Sequence, residues 1–185
     1  NQMDQLVDLA IKDNKEESFN SGVKVIKSGT INKTDLVGAS AGLYYYPPYG
    51  TGDMAVSLDE DNFSISANQK LVIFVEDNLN INKNISVTSG GFLAFIVSGN
   101  ITIAPSVTQV QGVYFADKNL TVESNGATDS QFNGQGIFVG KQGVSLKRNF
   151  RSGVNATTPA EIFTFDPSYL FTAPKVFREK PYLWQ

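Results

Sequence analysis

The side chains in this sequence with most scope for chemistry are carboxylates that recur just before an asparagine. Glu60-Asp61 precede Asn62, Glu76-Asp77 precede Asn78, and Asp117-Lys118 precede Asn119. Parallel neighbours stacked at about 4.8 Å would gather the first two pairs into four close carboxylates. Like charges directly opposite one another destabilise a sheet. A hard cation taking oxygen ligands relieves that repulsion, so Glu60, Asp61, Glu76, Asp77 and Asp117 are the candidate Ca²⁺ ligands. The competing reading leaves them as solvated corner charges. Other site chemistries are closed to the chain, because it contains neither His nor Cys. Zinc and iron–sulfur centres, Cys nucleophiles and a Ser-His-Asp triad all need one or the other.

A second candidate is Tyr44-Tyr45-Tyr46-Pro47-Pro48-Tyr49-Gly50. Tyrosine rings are amphipathic and enriched at contact surfaces, which makes Tyr44, Tyr45, Tyr46 and Tyr49 a candidate binding surface for sugars or a protein. The alternative is a segment whose rings fill gaps at the end or side of the fold. Asn-x-Ser/Thr triplets begin at Asn32, Asn62, Asn84, Asn100, Asn119 and Asn155. Those at Asn62, Asn100 and Asn119 follow from a repeat described below, so they are not read as glycosylation sites. Gly134-Gln135-Gly136 lacks the following helix and Lys of a phosphate loop.

These residues must be positioned by a framework, and composition sets its class. With 41% hydrophobic and 18% charged residues, the chain can build a core and is not a disordered tail. A net charge of −3 argues against nucleic acid as a partner. The longest apolar run, Phe92–Val97, is far short of the ~18 residues of a membrane span.

Four segments align without a gap: Val72–Ile81, Ala94–Ile103, Val113–Val122 and Ile137–Leu146. Each is an apolar run, two polar or small residues, Asn (or Gly143), then apolar-polar-apolar. Val56–Ile65 is a weaker fifth copy with Asn62 in the Asn column. A unit of about twenty residues with two short strands and a corner is one coil of a parallel β-helix. Such a coil cannot bury its apolar face alone and gains an interior by stacking. The triplets Leu79-Asn80-Ile81, Ile101-Thr102-Ile103 and Leu120-Thr121-Val122 then point their outer members inward. The corner Asn tolerates a left-handed turn, and stacked Asn side chains make a hydrogen-bonded ladder. The expected fold is all-β, a right-handed parallel β-helix of about four to five coils.

Residues 20–146 form that domain. Residues 1–19 carry Met3, Leu6, Val7, Ala10 and Ile11 at helical spacing, which predicts a helix that caps the solenoid or continues a longer one. Residues 147–185 leave the repeat and carry Phe163, Phe165, Tyr169, Phe171 and Phe177, as expected of an extended strap packing on the coils.

From about Lys70 to Gln185 the chain resembles parallel β-helix surface proteins of bacteria, and more closely uncharacterised envelope proteins of uncultured, small-genome lineages. The resemblance rests on the Val72-Ile-Phe-Val75…Asn78-Leu-Asn-Ile81 coil, the Gly112-Val-Tyr-Phe-Ala116 coil and the tail Pro159-Ala-Glu161…Phe165-Asp-Pro167…Trp184. It implies a cell-envelope or extracellular location and, upstream, a pilin-like helix. It brings no activity or catalytic residue. The expected function is a non-catalytic structural or adhesion module contacting a protein or glycan partner. Exposed strand edges at the solenoid end offer a route to end-to-end self-association. A rival reading from a different class is a Ca²⁺-dependent polysaccharide lyase, with Lys118, Lys141, Lys147, Arg148 or Arg151 as proton acceptor.

Overall fold

The computed structural model describes residues 23–36, 41–48, 56–58, 62–126, 128–151 and 154–174. The strands are β1 (Val23–Val25), β2 (Thr30–Ile31), β3 (Ala41–Tyr46), β4 (Val56–Leu58), β5 (Asn62–Ile65), β6 (Lys70–Val75), β7 (Leu79–Ile81) and β8 (Asn84–Val87). They continue as β9 (Phe92–Val97), β10 (Ile101–Ile103), β11 (Gln109–Ala116), β12 (Asn119–Val122), β13 (Phe132–Gly140), β14 (Gly143–Leu146) and β15 (Glu161–Thr164). A 3-10 turn at Lys33–Leu36 and a short helix α1 (Ser168–Thr172) complete the described elements.

Every strand pairing between these elements is parallel. The chain is therefore a β-solenoid, with about four turns stacked from β3 to the start of β13 and further strands at each end. One face is β1-β3-β6-β9-β11-β13, and the second is β2-β4-β7-β10-β12-β14. The third runs through β5, β8, the first halves of β11 and β13, and β15.

Sequence periodicity explains the faces. On face two the triplets alternate buried, half-exposed, buried, so Leu79, Ile101 and Leu120 stack in one inward column and Ile81, Ile103 and Val122 in another. All six are fully buried, and each contributes about 1.5–3 kcal/mol by leaving water. On face one, β6 and β9 read as unbroken apolar runs because both sides of the sheet are covered. Leu71, Ile73, Val75, Leu93, Phe95 and Val97 face the interior. Leu43, Val72, Phe74, Phe92, Ala94 and Ile96 form an outer cluster with Tyr169 and Ala173 of the C-terminal segment. Inside, Tyr114 stacks between Phe95 (5.7 Å) and Phe138 (5.1 Å).

The corner from face three to face one changes along the stack. In two turns it is a short tight loop, Ser66–Gln69 and Thr88–Gly91. In the next two the strand bends through it without a break, at Gly112 and Gly136. Both have positive φ (131° and 134°), and a Cβ on Gly136 would overlap the Gly112 carbonyl oxygen.

Three expectations need correction or placing. Val56–Ile65 is not in step with the other copies: β4 pairs with β7, and Asn62 lies opposite Asn84 rather than Asn78. Within 147–185, Glu161–Thr164 joins the solenoid as β15. After it Tyr169 and Ala173 pack outside the coils, while Phe165 and Phe171 are exposed. Residues 1–19, Phe177 and Trp184 lie outside the described residues. Among the described residues, no helix is long and apolar enough to cross a membrane.

Candidate functional site

The Asn column forms the expected ladder. Asn78 Oδ1 accepts from Asn100 N (2.8 Å) and Nδ2 (2.9 Å), and Asn100 Oδ1 accepts from Asn119 N (3.1 Å) and Nδ2 (3.3 Å). Each carboxamide ties one corner to the next, at a net ~0.5–1.5 kcal/mol per bond. At the next turn Gly143 sits opposite Asn119 and has no side chain to continue it.

Sequence reasoning missed a second ladder. Gln111 Oε1 accepts from Val87 N, Gln111 Nε2 donates to Gln135 Oε1 (2.8 Å), and Gln135 Nε2 donates to Asp166 Oδ2 (3.0 Å). The carboxylate, which only accepts, ends the chain. Asp166 also accepts from Ser168 N, and hydrogen bonds from Ser168 and Gln135 hold its pKa below the ordinary carboxylate value. The available signal is the Gln-Gly pair that precedes both Val113 and Ile137.

Of the candidate carboxylates, the structure describes Glu76, Asp77 and Asp117. Glu60 and Asp61 lie outside the described residues. The register places Glu76 and Asp77 between Pro47-Pro48 on one side and Ser98-Gly99 on the other. Glu76 accepts from the Tyr45 hydroxyl, and Asp117 pairs with Lys141 at 2.7 Å, both about half exposed. Among the described residues, no group of three or more acidic side chains is arranged to hold a metal ion. Asp77 carries a positive φ of 147°, a strained value for a non-glycine residue.

The tyrosines divide by strand alternation. Tyr44 and Tyr46 point inward and are 4% and 0% exposed, so the binding surface expected of them is not presented. Burial raises both phenol pKa values, that of Tyr46 further through nearby Asp35 and Tyr44. The Tyr46 hydroxyl is buried without a hydrogen-bond partner. Tyr45 faces outward beside the outer apolar cluster, and Tyr49 lies outside the described residues.

Of the candidate basic residues, Lys147 pairs with Glu123 at 2.8 Å. Arg148 is buried, and its guanidinium donates to the carbonyls of Ala104 and Val107 (2.8 Å each) and of Pro105. Burial lowers its pKa from the usual value, while the charges of Asp129 and Glu161 act the other way. Burial alone would raise the Asp129 pKa. Hydrogen bonds from Ser124 Oγ (2.5 Å), Asn125 N (2.6 Å) and Asn149 N (2.8 Å), with the Arg148 charge, hold it below the ordinary value. This Arg148–Asp129 knot locks the loops after β10, β12 and β14 to one another. A shallow depression of about 390 Å³ lies beside it, lined by Pro105, Ser106, Asn125, Thr128, Asp129 and Ser130. Another of about 360 Å³ lies between Val87–Gly91 and Gln135, Asp166, Ser168 and Tyr169.

Face two presents a different surface. Asn80, Thr102, Thr121 and Ser145 are register partners in successive strands and are all partly exposed, the first three between buried neighbours. They make a straight outward row of amide and hydroxyl groups at about 4.8 Å spacing, backed by a closely packed interior.

No family model, curated protein or solved structure matches the chain.

Proposed function

We propose that this chain is a non-catalytic structural or adhesion module of the bacterial envelope or extracellular space. In this reading it holds a rigid polar face out to a glycan or protein partner. The observation that carries the reading is the row Asn80–Thr102–Thr121–Ser145. Hydroxyl and amide groups at a fixed spacing suit a neutral, hydroxyl-rich chain, and their strands are too tightly stacked to rearrange. The winding is taken as right-handed, the hand that parallel strand crossovers adopt almost without exception. Three side chains that a lyase would need as free bases are otherwise engaged, Lys141 and Lys147 in ion pairs and Arg148 on backbone carbonyls.

Affinity electrophoresis through gels loaded with neutral polysaccharides tests this. The chain is expected to be retarded by at least one of them, and the Thr102→Val/Thr121→Val variant, which keeps the β-branched shape, is expected to run unretarded. Equal retardation of the two proteins would contradict this assignment of the face.

A further inference from the structure

The two ends of the solenoid are finished differently. At the first end Ile26, Ile31 and Leu36 are all buried, and the 3-10 turn Lys33–Leu36 contributes to the interior cluster. Lys24 occupies the inward position opposite Tyr44, with its Nζ 6.0 Å from that ring's centroid and donating to Asp35 O. Among the described residues the last end has no such cover. The inward column that runs Leu79, Ile101, Leu120, each fully buried, ends at Val144, which is 50% exposed. The parallel column Ile81, Ile103, Val122 ends at Leu146, also 50% exposed. Phe163, edge-on to Phe138 at 5.1 Å, is 38% exposed at the same end. Among the described strands β14 pairs with β12 alone, which leaves its outer row of backbone donors and acceptors without a described strand partner beside these apolar side chains.

An apolar edge of this kind is a template for another strand. The described chain departs from other places. It begins at β1, at the opposite end, and ends at Pro174, after Tyr169 has packed on Phe92, two strands back along face one. A head-to-tail neighbour would have to seat the open end on Lys24 and on interior columns that are already covered. A two-fold pairing joins the two apolar ends and leaves at each far end only the edges of β1 and β2, beside which Ile26, Ile31 and Leu36 are buried, so the assembly closes at two copies.

We infer that the chain forms a symmetric dimer through its last turn, with β14 pairing antiparallel to β14 of a second copy. Side chains stay on the correct side of the sheet only in registers that keep parity. With Ser145 on the two-fold axis, Val144 of each copy lies opposite Leu146 of the other, and both interiors are sealed.

The chain has no Cys of its own, so single-cysteine variants read the geometry directly. Sedimentation of the wild type over a concentration series up to roughly 100 µM, the range of a modest interface, is expected to reach twice the 20.1 kDa chain mass. Oxidised Ser145→Cys is expected to give a disulfide-linked dimer, while Thr102→Cys, two strands inside the same face, stays unlinked. Leu146→Lys, and independently Val144→Lys, are expected to weaken dimerisation at least about tenfold by setting a charge in the joint. Their far-UV circular dichroism is expected to be unchanged, because both positions tolerate solvent. A wild type that remains monomeric across the series overturns the inference, whether a segment of its own chain or a different partner covers the end. So does open-ended polymerisation, or a dimer that survives both lysine variants.

Discussion

At the scale of single residues, two buried hydroxyls in the same aromatic interior make opposite predictions. Tyr114 donates to Gln111 O at 2.8 Å, whereas the Tyr46 hydroxyl is buried with no partner. An unsatisfied buried hydroxyl costs about 1–3 kcal/mol, and a satisfied one contributes a net ~1 kcal/mol. Tyr46→Phe is therefore expected to raise the urea midpoint, and Tyr114→Phe to lower it by about 1 kcal/mol of stability. Equal losses in the two variants would contradict the assignment. Asp129 supplies a pH test. Its folded pKa lies below the ordinary carboxylate value, so its contribution is complete above the unfolded pKa and is lost as pH falls through the folded one. The stability difference between the wild type and Asp129→Asn is expected to be constant near neutrality and to shrink under acid titration. A difference that grows with acid would refute it. The lone-residue readings were the least legible part of the sequence. Tyr44 and Tyr46 looked like surface rings because three adjacent tyrosines hide the strand alternation that turns two of them inward. Arg148 looked like a free base because the loop carbonyls it caps come from residues more than forty positions away.

At the scale of elements, what periodicity could reveal was largely legible. The gapless copies from Val72 to Leu146 correspond to successive turns of faces one and two, with the Asn corner between them. The ladder follows from equal offsets: Asn78, Asn100 and Asn119 sit at one corner because each precedes the same inward-outward-inward triplet. Removing the middle rung should matter most. Asn100→Ala deprives Asn119 N and Nδ2 of their acceptor as well as losing its own Nδ2 bond to Asn78. It is expected to cost about 2–3 kcal/mol by chemical denaturation, against ~1 kcal/mol for Asn119→Gly, which keeps a corner residue that Gly143 shows to be workable. A larger loss from Asn119→Gly would argue against the ladder as the tie between corners. The third face was invisible, and its absence explains the misplaced copy. Val56–Leu58 and Asn62–Ile65 alternate just as a face-one run and a triplet do, yet they belong to faces two and three. Alternation marks a strand without saying which face it lies on, and the loop lengths that decide this carry no periodic signal.

At the scale of the whole molecule, each turn contacts only its neighbours, so the solenoid behaves as a stack whose interior rungs support one another and whose ends are weakest. That geometry makes the flanks rigid and repeating, the property on which the proposed contact face depends. The polar row on face two was legible as the middle residue of each triplet. The account stands most directly on where a ligand sits. Amide chemical shifts of the isotope-labelled chain, titrated with an oligosaccharide from a polysaccharide that retards it, locate that contact. The account predicts the largest shifts along β7, β10, β12 and β14, centred on Asn80, Thr102, Thr121 and Ser145. Shifts concentrated instead around Val87–Gly91 and Asp166–Tyr169, with face two unmoved, would contradict it.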